Sequence, residues 1–553
     1  MKQYCIGVDF GTLSGRAILV DTSNGAILSS AVWEYAHGVM EHSLPCGKPL
    51  PAEWALHHPA DYLEVLEHTI PRIVKAAKVR AEDVVGIGID CTASSVLPVT
   101  KDGTPLCFLP EYEAEPHAYI HLWKHHAAQQ YADRMTETAL ARGEKWLAAY
   151  GGKVSCEGAL PKLWQMLEEA PQVYAAAAYW MEATDWLVWQ LCGKPTMSSC
   201  CAGYKYLYYD GTFPSEDYFS ALDSRLAHVI RDKCGLPILP IYSRAGMLTQ
   251  RMGHRLGLTS ATAVAVGMID AHACLPAAGI AGPGEMVMIL GTSACLMACG
   301  EHEHSIPGCY AVKDGMLPGY WGYEGGQNSV GDLFAWMLNN FVPASFQQSA
   351  GDRHISMHEY LSELAEAKRP GESGLLALDW FNGNRSVLMD SGLTGMILGL
   401  TLQTKPEDIY RALAESAAYG ARKIIESFRE NGVNVDKLLV TGGISRKNRM
   451  MMQIYADVLH MPIRVLPSSH GSALGSAIAA AVAAGCYDTV EYSIEHMAVK
   501  EDKVYEPDSD NTRIYDQLYQ LYARLYGHYG KDHCSTMKEL IGIKHRSIRF
   551  SSL

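Results

Sequence analysis

Three short stretches place acids, hydroxyls and glycines where they could handle a phosphoryl group. The first is Asp9-x-Gly11-Thr12-x-Ser14-x-Arg16. Glycine lets a backbone approach phosphate closely. Backbone N–H groups and the hydroxyls of Thr12 and Ser14 then supply donors. Asp9 cannot bind phosphate directly, but it could hold Mg²⁺ through water, and Arg16 could neutralise charge. The second stretch is Gly291-Thr292-Ser293, a matching donor loop. The third is Gly442-Gly443, followed by Asn448, Gln453 and Asp457. Two glycines there let a flat base or ribose lie on the backbone. Asp270, within VGMIDAHA, is the best candidate general base, because such a base must reach the hydroxyl it deprotonates or orients. Plainer readings exist: a tight hairpin capped by Asp9 with Arg16 solvated, a strand-to-helix turn at Gly442-Gly443, and a helix N-cap at Asp270.

The elements that must position these residues alternate. Residues 5–8 and 17–20 are β-rich runs flanking the Gly11-Thr12 turn, with a third strand expected over 26–33. Residues 286–299 repeat the idea around Gly291-Thr292, 280 positions later, after the small-residue boundary AAGIAGPG at 277–284. The chain therefore reads as two similar halves, each opening on a Gly-Thr hairpin. Helices are expected over 60–77, 407–430 and 448–460, and strands over 84–90, 261–266 and 438–440. Strands alternating with helices imply an α/β fold with a largely parallel core, and ligands in such folds bind beyond the carboxyl ends of strands. Residues 512–529 read as a helix with a stripe of Tyr515, Leu518, Leu521, Tyr522 and Leu525, expected to pack on the body or on a partner subunit.

Composition narrows the classes. Of 553 residues, 48% are hydrophobic and 19% charged, enough for buried cores and unlike a disordered chain. Lys plus Arg is 46 against 60 for Asp plus Glu, a net charge of −14, which argues against nucleic acid or an anionic membrane as partner. The 15 cysteines form no Cys-x-x-Cys. They read as reduced thiols, so a cytoplasmic location is expected. Asp9 interrupts the early apolar run, so no signal peptide is read. The charge-free run 465–487 reads as a strand, a loop and a buried helix rather than a membrane span. His121/His125 and His302/His304 lack a third metal ligand and read as surface or core histidines. No GxxxxGK[ST], protein-kinase signature or Gly-x-Ser-x-Gly occurs.

Taken in order, VDFGTLSGR at 8–16, PKLWQMLEEAP at 161–171, ATDWLVWQLCGK at 183–194, GMIDAHA at 267–273, LGTSA at 290–294, TGGISRKNRMMMQIYADVLHMPI at 441–463 and GSALGSA at 471–477 resemble the FGGY carbohydrate kinase family. The resemblance covers roughly 3–490 and implies two actin-like (ribonuclease H-like) domains of the sugar kinase/heat-shock ATPase/actin superfamily with a cleft between them. It implies an N-terminal domain over 1–282 with the sugar and the first phosphate hairpin, a nucleotide-binding domain over 283–490, and a helical extension over 491–553. ATP and Mg²⁺ are the implied cofactors.

IDCTASSVLPV at 89–99, LWKHHAAQ at 122–129, AGYKYLY at 202–208 and GYEGGQNSVGD at 322–332 resemble the branch acting on L-ribulose. The implied reaction is ATP plus L-ribulose giving ADP plus L-ribulose 5-phosphate, in L-arabinose catabolism. Alternatives are a xylulose or D-ribulose kinase, or an actin/chaperone-type ATPase needing no sugar. Carried over, Asp270 is the base, Asp9 lies near Mg²⁺, and Thr12, Arg16 and Thr292 handle phosphates. Gly443 and Asn448 lie by the adenosine, and Ala93, Ser94, Lys205 and Glu324 contact the sugar. Lys205 sits among Tyr204, Tyr206, Tyr208 and Tyr209, a segment that by itself reads as a strand. Lys162–Trp164 looks compressed and Cys192 replaces a common Thr; both are expected away from the chemistry. A homo-oligomer is compatible with the sequence.

Overall fold

A computed structural model describes residues 2–466, 470–499, 503–531 and 534–551. Two seven-stranded sheets dominate it, and they share one wiring. In the first, Tyr4–Phe10, Ser14–Asp21 and Ile27–Glu34 form an antiparallel meander, and Tyr4–Phe10 then pairs in parallel with Val84–Cys91. Ala263–Ala265 extends that parallel side. In the second, Gly284–Leu290, Ala294–Gly300 and Trp321–Gln327 form the meander, and Gly284–Leu290 pairs in parallel with Val435–Thr441, then Ile463–Val465. The strands are near-continuous apolar runs, as expected of a sheet covered on both faces.

What joins the halves is a pair of helices between the sheets. Asp270–Ala277 packs on Gly471–Ala483, and Gly471–Ala483 lies directly on the strands Tyr4–Phe10 and Val84–Cys91. Glycines permit this approach. A Cβ on Gly7 would stand 1.7 Å from Ala473 O, and one on Gly475 would stand 1.7 Å from Ala273 O. The helix Gly471–Ala483, carried by the second half of the chain, is thus packed on the first sheet. One apolar cluster spans this seam, from Cys5 and Ile18 through Leu275 and Ile478 to Val287 and Met297.

The expected elements form, with differences of one to three residues at most ends. In the run 465–487, expected as a strand, a loop and a buried helix, the strand ends at Val465 and the helix runs Gly471–Ala483; Pro467 lies outside the described residues. The tyrosine-rich segment is not a strand. Ser199–Lys205 is helical, and it is buried all round from Cys200 to Lys205. The helix Ser509–Gly530 buries Tyr515, Tyr519, Tyr522 and Tyr526, while Leu521 is 44% exposed. Polar partners select that face: Tyr522 Oη donates to Asp379 Oδ1 at 2.8 Å, and Tyr515 Oη to Glu415 Oε1 at 3.1 Å. It packs on the second half. No helix among the described residues is long and apolar enough to cross a membrane.

Candidate active site

Parallel pairing lines up three carboxylates at adjacent strand ends. Asp9 and Asp90 are register partners, and Met268 pairs with Asp90, so Asp270 follows at the start of its helix. Ile269, not Asp270, is the N-cap residue, and among the described residues Asp270 Oδ1 accepts only from the adjacent Ala271 N, at 2.7 Å. Burial, then the charge of Asp9, push Asp270 up to about 7. Burial also raises Asp9, against the Arg16 guanidinium 3.2 Å away. Asp90, which the sequence reading passed over, is raised well above the carboxylate range by burial and by Asp9. Its Oδ2 accepts from Ser476 Oγ at 2.5 Å, and its Oδ1 is buried with no hydrogen-bond partner among the described residues.

Each half carries a hairpin closed in the same way. Gly11 N donates to Ser14 O at 3.0 Å, and Gly291 N donates to Ser293 O at 3.0 Å. Thr292 is exposed at its tip, and Thr12 is half-buried. Gly442, at φ +109°, lies against the base of the second hairpin: a Cβ there would stand 2.2 Å from Leu290 O. Gly443 is exposed and faces open space. Asn448 caps the helix Arg449–Leu459 by accepting from Met451 N at 2.9 Å, and its amide donates to Tyr410 Oη. Gln453 and Asp457 do not join this group. They bond each other and the segment 506–511, so their role is to seat the C-terminal helix.

A second charged cluster faces Asp270 across the cleft floor. Glu324, on the strand Trp321–Gln327, pairs with Arg385 through one oxygen and lies 3.0 Å from His272 Nε2 through the other. Burial alone would raise Glu324, but His272, Arg385 and Lys205 together hold it well below the usual carboxylate range. Lys205 ends the helix Ser199–Lys205, 6% exposed; against burial, Glu324 and Tyr310 keep its ammonium raised. Beside Lys205 lies a small cavity of about 10 Å³, room for about one water, lined by Tyr150, Glu157, Tyr204 and Tyr310. Ala93 is half-buried, and Ser94 is fully buried at φ +53° with its hydroxyl unpartnered.

Lys162 corrects one expectation. Rather than standing apart from the candidate site, its buried ammonium donates to Ser94 O at 2.8 Å and Leu122 O at 2.7 Å. It holds the left-handed Ser94 backbone in place. Asp90, His272, Arg385 and Lys162 were all missed by the sequence reading. Asp90 alone carried a signal, an acid closing the strand VVGIGID; the others depend on contacts 40 to 72 residues apart. Among the described residues no group of three or more His, Cys, Asp or Glu could hold a metal directly. The unpartnered Asp90 Oδ1 beside Asp9 suits a hydrated cation instead.

Two sheets of one wiring, a helix pair between them, a Gly-Thr hairpin in each half and carboxylates at the strand ends of the first sheet fit a two-domain phosphotransferase. Family models agree: the FGGY carbohydrate kinase N-terminal domain matches residues 4–210 and the C-terminal domain residues 286–484. The chain belongs to the FGGY family of carbohydrate kinases. It is 50% identical to a ribulokinase of Bacillus licheniformis over 96% of this chain and 98% of that protein. It is 47% identical to a ribulokinase of Geobacillus thermodenitrificans, over 98% and 97%. A xylulose kinase from Rhodospirillum rubrum shares the fold at TM-score 0.77 and 23% identity, covering 95% of this chain and 99% of that one. Plasmodium falciparum glycerol kinase does so at 0.75 and 16%, covering 95% and 98%.

Proposed function

We propose that this carbohydrate kinase transfers the γ-phosphoryl group of ATP to the 5-hydroxyl of L-ribulose, with Asp270 as general base. The carrying observation is Asp270 itself: a buried carboxyl raised to about 7, whose only hydrogen-bond donor among the described residues is its own neighbour's N–H, near a charged cluster that suits a polyhydroxy substrate. The sugar's identity rests on the near-full-length relatives called ribulokinase. Residues 1–282 supply the base, Ala93, Ser94 and Lys205. Residues 283–490 supply Glu324 and the nucleotide surface of Gly291, Thr292, Gly442, Gly443 and Asn448. The helical extension expected over 491–553 is not wholly helical: Lys503–Tyr505 is a strand that pairs with Ile463–Val465 at the edge of the second sheet, ahead of the helix Ser509–Gly530.

The sugar lies on the floor, its hydroxyls donating to ionised Glu324 and accepting from Lys205. Asp270 orients the primary hydroxyl and takes its proton as the oxygen attacks the γ-phosphorus in line. Phosphoryl transfer needs chiefly positioning and charge stabilisation; the N–H groups of both hairpins, Thr12, Ser14, Thr292 and Arg16 serve that end. Asp9, with Asp90 beside it, would hold Mg²⁺ through water, and the bound ion would offset phosphate charge. Two phosphate loops on two halves suit a cleft that closes and excludes water.

The test is ADP release with Mg-ATP and a panel of L-ribulose, D-ribulose, L- and D-xylulose, ribitol, L-arabinitol and glycerol, with a no-sugar control. Clear preference for L-ribulose supports the reading. Preference for another sugar moves only the pocket assignment. Equal ADP release without sugar overturns the kinase reading.

A further inference from the structure

Resting on that reading, we infer that His272 is a positioning residue for the sugar: backed by Cys200, it fixes the Glu324 carboxylate in the cleft floor. Three elements meet here. Cys200 lies on the helix Ser199–Lys205, His272 on Asp270–Ala277, and Glu324 on Trp321–Gln327. Cys200 Sγ stands 3.1 Å from His272 Nδ1, and His272 Nε2 stands 3.0 Å from Glu324 Oε2. Cys200 and His272 are fully buried.

The chain of contacts has one consistent sense. Glu324, beside Arg385, is an ionised acceptor, so His272 Nε2 must carry the proton and donate. Nδ1 then meets the Cys200 sulfur, either accepting from the thiol or donating to the thiolate. Both ring nitrogens are thereby held. Tyr204 packs on the ring at 4.2 Å between centroids and is itself pinned by donating to Gly322 O at 2.7 Å. The imidazole has no freedom to turn away.

The consequence joins the two halves. Glu324 belongs to the second sheet, whereas His272 sits two residues beyond Asp270 on the same helix. A carboxylate for the sugar hydroxyls and the base for the reacting hydroxyl are therefore referenced to one rigid turn. A misplacement of about 1 Å in such a pair costs orders of magnitude in rate, so the second contact of Glu324 matters as much as its first.

The test is steady-state kinetics of His272→Ala, His272→Gln, Cys200→Ala and Cys200→Ser, alone and with Glu324→Ala, each with its melting temperature. Loss of a hydrogen bond to a charged group predicts a sugar KM about 10- to 100-fold higher in His272→Ala. The ATP KM is expected to stay within twofold. His272→Gln keeps an N–H donor and should recover part of the loss. Cys200→Ala should raise the sugar KM less, and Cys200→Ser should restore it. In the Glu324→Ala background, His272→Ala should add less than twofold. A sugar KM within twofold of wild type, equal rises in both KM values, or multiplying effects in the double variant would each overturn the inference. If His272→Ala does not fold, His272→Gln and Cys200→Ala carry the same comparison. Failure of the ribulose reading is visible separately, in the wild-type panel; the KM ratios are then read on whichever sugar wild type accepts.

Discussion

The two Gly-Thr hairpins sit on the same scaffold and end differently. Asp9 precedes the first tip by two residues, and Ile289 precedes the second by two. Asp9 pairs in register with Asp90, while Ile289 pairs with Thr441. So the first sheet ends in facing carboxylates and the second in an aliphatic and a hydroxyl. Beyond Thr441 come Gly442 and Gly443, which keep the surface low. A triphosphate is repelled by unneutralised carboxylates but accepted by backbone N–H groups. On the proposed reading, one wiring serves two tasks: the first half would carry proton transfer and metal affinity, the second the nucleotide.

Four experiments break or sharpen that contrast. The largest effect is expected from Asp270→Asn, which should cut turnover by about 10²- to 10⁴-fold with little change in melting temperature. Turnover within tenfold of wild type would remove Asp270 from the base role. Next is the helix pair that both halves share. Gly475→Ala drives a methyl toward Ala273 O and should destabilise the fold by about 3 kcal/mol, seen in denaturant midpoints; an unchanged midpoint would mean the helices part easily.

The third is pH. Asp270 at about 7 must be ionised to accept a proton, so kcat/KM should fall about tenfold per unit below pH 7 and level off above it. Stability runs the other way for this group: its folded pKa lies above the unfolded value, so its protonation favours the fold as pH drops from 7 toward 4. His125, held down to about 3 by burial in the first half, opposes this. Its neutral form is favoured in the fold, and that stability is lost as pH falls from about 6.5 toward 3. A kcat/KM flat from pH 5 to 8 would sink the assignment. The smallest effect is expected from Ile289→Asp, which gives the second hairpin the first one's acid. It should raise the ATP KM about three- to tenfold and leave the sugar KM within twofold. Equal effects on both would deny the division of labour.

Much of this was legible in one dimension. Apolar runs and Gly-Thr turns announce both meanders, because period and turn chemistry are local. Asp9, Asp270, Gly291 and Gly442-Gly443 stand at strand ends that can be read directly, and the motif order carries the family. Other features were not legible. Lys205 lies among tyrosines that mimic a strand, and only the tertiary packing that buries Cys200 to Lys205 as a short helix decides otherwise. The tyrosine stripe of the last long helix was set by Asp379 and Glu415, more than 90 residues away.

The sequence by itself determined the strands, the hairpin tips and the candidate base, since these follow from neighbours along the chain. Tertiary structure alone decided that Lys162 holds Ser94, that His272 and Arg385 share Glu324, and that Asp90 stands beside Asp9. The physical reason is burial. A charge withdrawn from water must find its partner in space, and the partner's position in the chain leaves no periodic trace.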